Sequence, residues 1–181
     1  DSLRMLLKSV GLPVEVFESG QEFLDADRDD RPGCLVLDIR MPGMSGLELQ
    51  VKLNERHSIL PIIFITGHGD VPMAVEAMQA GAVDFIQKPF RDQDLLDRIN
   101  QALEKDAGSR RMLAERNMIR KRLESLTPRE KEVLDLVVAG KANKVIAGDL
   151  NLSQRTVEIH RARVMEKMEA HSLAHLVRMV L

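Results

Sequence analysis

Cys34-Leu35-Val36-Leu37-Asp38-Ile39-Arg40-Met41-Pro42-Gly43-Met44-Ser45-Gly46 is a short apolar run that stops on one carboxylate, turns through Pro-Gly and enters a new amphipathic segment. Two further runs end in a polar residue in the same way: Ile62-Ile63-Phe64-Ile65 on Thr66, and Asp84-Phe85-Ile86-Gln87 on Lys88-Pro89. In an open parallel sheet, residues just past the carboxyl ends of the strands gather in one crevice. An aspartate, a hydroxyl and an ammonium meeting there make a site for one phosphoryl group. Carboxylates serve as nucleophiles that form aspartyl phosphates, so Asp38 is the candidate acceptor. The product gathers about two negative charges on one group; Lys88 can relieve them and Thr66 can donate its hydroxyl. The competing reading has Asp38 merely capping the turn into the next helix, and the matching ends at Thr66 and Lys88 weigh against it. A divalent ion, Mg²⁺ or Mn²⁺, is expected as well, because phosphoryl transfer relies on charge neutralisation and Mg²⁺ takes carboxylate oxygens. Asp38 supplies one such ligand, and no second acid is well placed in the sequence.

Outward from this stretch, strands alternate with helices of about ten residues, which implies a parallel sheet with helices on both faces. Leu3, Leu6, Leu7 and Val10 share a helical face that Gly11 and Pro13 end; Val14–Phe17 reads as a strand; Ser19 caps a short helix over 20–26. Ser45–Asn54 reads as a helix with Leu47, Val51 and Leu53 inward, Val71–Ala80 as another stopped by Gly81, and a further helix begins near Asp92. The first helix has no strand before it, whereas a doubly wound sheet of order 2-1-3-4-5 starts with a central strand. A further strand upstream of Asp1 is therefore expected.

The 181 residues carry a net charge of −2 that hides an asymmetry. Residues 1–105 hold 11 Lys+Arg against 18 Asp+Glu, a net of −7, and residues 106–181 hold 15 against 10, a net of +5. An acidic half and a basic half suggest two domains, the basic one facing a polyanion. No run is long and apolar enough to span a bilayer. The single cysteine, Cys34, reads as a core residue of its strand and fits a reducing cytoplasm.

From Asp92 to about Ser125 the only breaker is Gly108, and residues 106–125 read as a helical, self-associating or solvated linker. Thr127-Pro128-Arg129-Glu130 then gives a capping box with proline at the first helical position. Gly140 ends that helix, Lys144–Leu150 forms a short second one, Asn151-Leu152 turns, and Ser153 caps a third helix over about 154–168; Ser172 caps a last one, Leu173–Leu181. A short helix, a tight turn and a longer helix make a helix-turn-helix. At 100° per residue Val157, Val164 and Met168 face inward. Arg155, Glu158, Ile159, Ala162, Arg163 and Glu166 fall opposite, the mixture of donors, acceptors and apolar groups that a major groove requires. Lys144 and Thr156 are candidates for phosphate contacts. Arg161 points nearer the core, and His160 has no second metal ligand beside it.

Two resemblances follow from these residues. Asp38, Met41, Pro42, Met44 and Gly46, with Thr66, Phe85 and Lys88-Pro89, make residues 1–105 resemble the receiver domain of bacterial two-component response regulators, minus its first strand. Leu126–Leu134, Asn143–Ala147 and Ser153–His160 make residues 126–181 resemble the LuxR/FixJ/NarL class of DNA-binding domains, the FixJ-like branch above all. The implied fold is a flavodoxin-like doubly wound α/β receiver, N-terminally truncated, joined by a long helical linker to an all-α four-helix domain. The resemblance implies that Asp38 is the phosphoacceptor and the backbone carbonyl of Arg40 a Mg²⁺ ligand. The family's acidic pair would lie upstream of Asp1, so metal binding is expected to be weak or absent without it. Thr66 and Phe85 would be the switch pair.

The expectation is a phosphorylation-activated transcriptional regulator. It would be cytoplasmic, not an enzyme and not membrane-bound. Its partners would be a sensor histidine kinase, promoter DNA, a second copy through the Val71–Ala80 face and RNA polymerase. A phosphorylation-independent DNA-binding or dimerisation protein is the main alternative. An aspartate-nucleophile phosphohydrolase would want a second acid two residues after the nucleophile, where Arg40 stands. A relay protein without a DNA role leaves the 153–168 helix unexplained.

Overall fold

The computed structural model describes residues 2–28, 30–67 and 71–181, and the chain divides into two compact units, Asp1–Arg111 and Met112–Leu181. In the first unit, β1 (Leu35–Asp38), β2 (Ile62–Thr66) and β3 (Asp84–Gln87) form a parallel sheet in the order β1-β2-β3. Parallel neighbours need crossover connections, and these carry α3 (Gly46–Glu55) and α4 (Val71–Gln79). Asp38 lies in register with Ile65, and Thr66 with Gln87, so the three strands end along one edge.

All five residues of β2 are buried, as expected of a strand covered on both faces. Successive side chains point to opposite faces. Ile62 and Phe64 join Leu37 and the apolar residues of α2 (Gly20–Asp25), α3 and α4. Ile63 and Ile65 join Ile86 and the Leu95, Ile99 and Ala102 stripe of α5 (Asp92–Glu124), with Leu3 and Leu7 of α1 (Ser2–Ser9) packed against them.

Several details differ from the sequence reading. Val14–Phe17 forms no strand. β1 pairs with β2 only, and no described residue offers Val14–Phe17 a ladder, without which an isolated extended segment has nothing to hold it. In α3 the buried face is Gly46, Leu49, Gln50 and Leu53, while Val51 is exposed. Gln50 is tolerated there because its amide donates to the Ala77 carbonyl at 2.9 Å, tying α3 to α4. Val10 lies beyond the end of α1 and is exposed. Cys34 sits just before β1 rather than within it, half-buried and packed against the core of Ile63, Ile65 and Ile86.

Past Ala102, α5 leaves the apolar face but stays attached. The Asp106 carboxylate, only 2% exposed, accepts from the Gly33 N–H at 2.9 Å and from Arg110 Nε at 2.8 Å. Arg110 also donates to the carbonyls of Asp30 and Arg31. Burial, reinforced by the negative charge of Asp106, pushes the Cys34 thiol up to about 11, so it stays protonated at neutral pH.

The second unit is helical: the end of α5, then α6 (Pro128–Val138), α7 (Asn143–Leu150), α8 (Gln154–Lys167) and α9 (Leu173–Val180). Thr127 closes its capping box, with its Oγ1 accepting from the Glu130 N–H and Glu130 Oε2 accepting from the Thr127 N–H. Gly140 follows α6 at φ 79°, and Asn151 ends α7 at φ 53° in the left-handed region that asparagine tolerates. Val133, Leu134, Ile146, Val157, Val164, Met168 and Leu176 form the core, with Ile119 and Leu123 of α5 packed on it. Met112, Leu113 and Met118 are exposed, so part of the linker's apolar content is solvated.

Candidate functional site

The loop from β1 to α3 places Asp38. Gly46 lies so close to it that an added Cβ would stand 2.5 Å from the Asp38 carbonyl oxygen and 2.9 Å from Phe64 Cε1. Only glycine permits that approach, which the Gly46 N–H then fixes by donating to the Ile39 carbonyl at 2.9 Å. Ser45 caps α3 immediately after the turn through a box with Glu48.

Asp38 uses its two oxygens differently. Oδ1 accepts from the Arg40 N–H at 3.1 Å, the turn-capping role. Oδ2 accepts from Lys88 Nζ at 2.8 Å, bridging β1 to the end of β3. The side chains of Lys88 and Asp38 are 52% and 39% exposed, and pairs this open contribute about 0–1 kcal/mol to stability. Holding the fold together is therefore a minor part of what this pair can do. Its larger capacity is to present an accessible carboxylate beside a fixed cation.

Thr66 ends β2 between them, is 3% exposed and donates its hydroxyl to the Ile86 carbonyl at a long 3.4 Å. Phe85 is half-buried and packs against the Phe64 side of the sheet, in register with Phe64 and two residues before Gln87, the register partner of Thr66.

The metal donors are incomplete. Asp38 and the Arg40 carbonyl are at this edge, but among the described residues no group of three or more His, Cys, Asp or Glu side chains could hold a metal. A hard cation wants more oxygen ligands than these. The described residues thus do not fit a complete divalent site.

In the second unit α8 has the division of faces that its sequence implies. Val157, Val164 and Met168 are buried, while Arg155, Glu158, Ile159, Ala162, Arg163 and Glu166 are exposed. Lys144 is exposed on the first turn of α7. Thr156 is half-buried, and its hydroxyl lies 2.8 Å from Ser153 Oγ inside the α8 cap. His160 is half-buried with its Nδ1 unpartnered.

Two contacts here escape a residue-by-residue reading. Glu130, 2% exposed, accepts from Lys167 Nζ at 2.7 Å, joining α6 to the end of α8. That bond first, then the Thr127 N–H, holds its carboxyl below the ordinary value of 4.5. Arg161 donates from Nη1 to Asn143 Oδ1 at 2.6 Å, joining α8 to α7. Periodicity places Arg161 near the core, but nothing in the sequence pairs it with a residue 18 positions away.

Comparison with known proteins agrees with both halves. Residues 1–100 match the family described as response regulator receiver domain, and residues 124–180 match bacterial regulatory proteins of the luxR family. The chain is 52% identical to the transcriptional regulatory protein FixJ of Rhizobium meliloti over 99% of its own length and 88% of that protein's. It is 49% identical to nodulation protein W of Bradyrhizobium diazoefficiens over 98% of its length and 78% of the relative's. The solved structure of the response regulator StyR superposes with a TM-score of 0.91 at 47% identity, covering 99% of this chain and 90% of that one.

Proposed function

The chain belongs to the FixJ-type two-component response regulators, transcription regulators that join a receiver to a LuxR-type helix-turn-helix domain, and on that premise we propose that phosphoryl uptake at Asp38 governs how α8 engages a promoter. The observation that carries the assignment is the 2.8 Å contact of Lys88 Nζ with an exposed oxygen of Asp38 at the carboxyl edge of the sheet. A phosphoryl group on that oxygen keeps Lys88 as its counter-charge. Thr66 exchanges its long bond to Ile86 for a charge-assisted bond to the phosphoryl oxygen, and Phe85 turns into the space released. Moving such an equilibrium almost fully takes about 5.5 kcal/mol of differential stabilisation, within the reach of a few charge-assisted hydrogen bonds.

The working division is receiver 1–105, helical linker 106–125 and DNA-binding domain 126–181. Response regulators partner with sensor kinases and DNA. Here the donor is a histidine kinase, and the readout is a second copy meeting the first through α4, whose Val75 and Met78 are exposed. On DNA, Arg155, Glu158, Ile159, Ala162 and Arg163 read base edges, and Lys144 and Thr156 touch phosphates. RNA polymerase is the downstream partner. Receivers generally use Mg²⁺, and Asp38 with the Arg40 carbonyl would be this chain's contribution to holding it. No described helix is long and apolar enough to cross a membrane, and the cytoplasm, where promoter DNA lies, is the proposed place of action. The protein acts as a switch without turning over a substrate.

The test is a gel shift on the protein's own upstream DNA with and without acetyl phosphate and magnesium, for the wild type and Asp38→Ala. Acetyl phosphate should tighten wild-type binding and leave Asp38→Ala unchanged. Equal binding in all four lanes would favour the phosphorylation-independent alternative, and a failure to prefer any sequence would end the regulator reading.

A further inference from the structure

Arg161 lies on α8 but off the exposed face. Its side chain is half-buried beside Val133, Val137, Val164 and Leu176, where α6, α8 and α9 meet. Its guanidinium leaves that contact to reach Asn143 Oδ1 at 2.6 Å, in the first turn of α7. One side chain of α8 therefore lines the junction with α6 and α9 and hydrogen-bonds to α7. It does so with a cation on an otherwise apolar stem, although a leucine would fill the core at lower desolvation cost.

The bond is also placed where it governs geometry. The α7–α8 turn is only Asn151, Leu152 and Ser153, so one fixed point on α7 and one on α8 define the angle between them. Lys144 follows Asn143 directly, while Arg155 to Glu166 stand on the far side of α8. Phosphate contacts set register and base contacts set sequence, so the angle between these helices decides whether both are made on one duplex.

We propose that Arg161 is a positioning residue for DNA recognition: through Asn143 it locks the α7–α8 angle, and it contributes to sequence discrimination without touching the nucleic acid. This rests on the reading of α8 as the recognition helix.

The test uses the full chain treated with acetyl phosphate. The probes are the duplex that the wild type enriches most from a random-sequence pool and an unselected duplex of equal length. Arg161→Met keeps the stem and removes the bond; Asn143→Ala removes the acceptor. Each should weaken the enriched duplex about tenfold, the worth of one hydrogen bond to a charged group. Each should change the unselected duplex less than twofold. The slope of log affinity against log salt should match the wild type, and the double variant should be no worse than either single. A slope reduced by about one unit for Arg161→Met, with both duplexes weakened alike, would mean a direct phosphate contact and overturn the proposal. Unchanged discrimination in Asn143→Ala would overturn it too, and that variant decides the matter should Arg161→Met unfold. A wild type that enriches nothing would overturn both this proposal and the DNA-reading assignment. Enrichment by the wild type with unaltered variants would remove this proposal alone.

Discussion

Lys167→Met should loosen the helix-turn-helix domain well beyond an ordinary surface change. Lys167 donates to a carboxylate that is 2% exposed, and its own side chain is 35% exposed. Removing one partner of a fully buried pair costs about 3–5 kcal/mol because the other charge is stranded. Here water reaches the lysine, and Glu130 keeps the Thr127 N–H, so the loss falls to about 2–3 kcal/mol. The pH dependence carries a sign. Glu130 is depressed in the folded state, so its contribution is whole above the unfolded value of 4.5 and fades as acid protonates it. The gap between wild type and variant should be flat from about pH 6 to 8 and shrink below about 4.5. With no Trp or Tyr in the chain, intrinsic fluorescence cannot follow the transition, and helix dichroism sums both units. Hydrogen exchange of peptides over 128–138 and 154–167 localises it. Amides at Val133, Leu134 and Val137 should exchange about 30- to 150-fold faster at pH 7. Glu130→Gln combined with Lys167→Met should recover most of that, since a neutral amide can still accept from Thr127. Exchange within about twofold of wild type, or a gap as large in acid as at neutrality, would refute the reasoning.

Other outcomes follow from the same geometry. Gly46→Ala should destabilise the first unit by about 2 kcal/mol or more, because the new Cβ meets a backbone carbonyl that cannot step aside, and urea unfolding with exchange read over 62–66 reports it. Lys88→Met should leave that stability within about 0.5 kcal/mol yet lower phosphoryl occupancy at Asp38 about tenfold, read by intact-protein mass after acetyl phosphate treatment. Lys144→Ala should weaken binding to all duplexes alike and reduce the salt slope by about one, whereas Arg155→Ala should cost about 1–3 kcal/mol on the enriched duplex and relax one base position.

The phosphoryl edge was legible because each of its residues ends an apolar run, and strand ends on one edge of a parallel sheet must meet. The α8 faces and the Thr127 box were legible because they depend on spacing within one helix. Val14–Phe17 was misread because strand propensity says nothing of whether a neighbour is there to pair with. Val51 was misread because Gln50, a polar residue, takes the inward position by bonding to Ala77. Asp106 with Gly33, Glu130 with Lys167 and Arg161 with Asn143 join residues far apart in sequence, and charge counts leave all of them among solvated ions.

The grip of Arg110 on the carbonyls of Asp30 and Arg31 has an experimental use. That loop carries Arg28, followed by an aspartate and so open to trypsin, and Arg31, whose bond to Pro32 trypsin does not cut, and the backbone must straighten to enter the protease. As long as α5 holds the loop bent, nicking is slow. The rate of cutting at Arg28 is thus a built-in gauge of whether the first turns of the linker are seated, readable on a gel without any label.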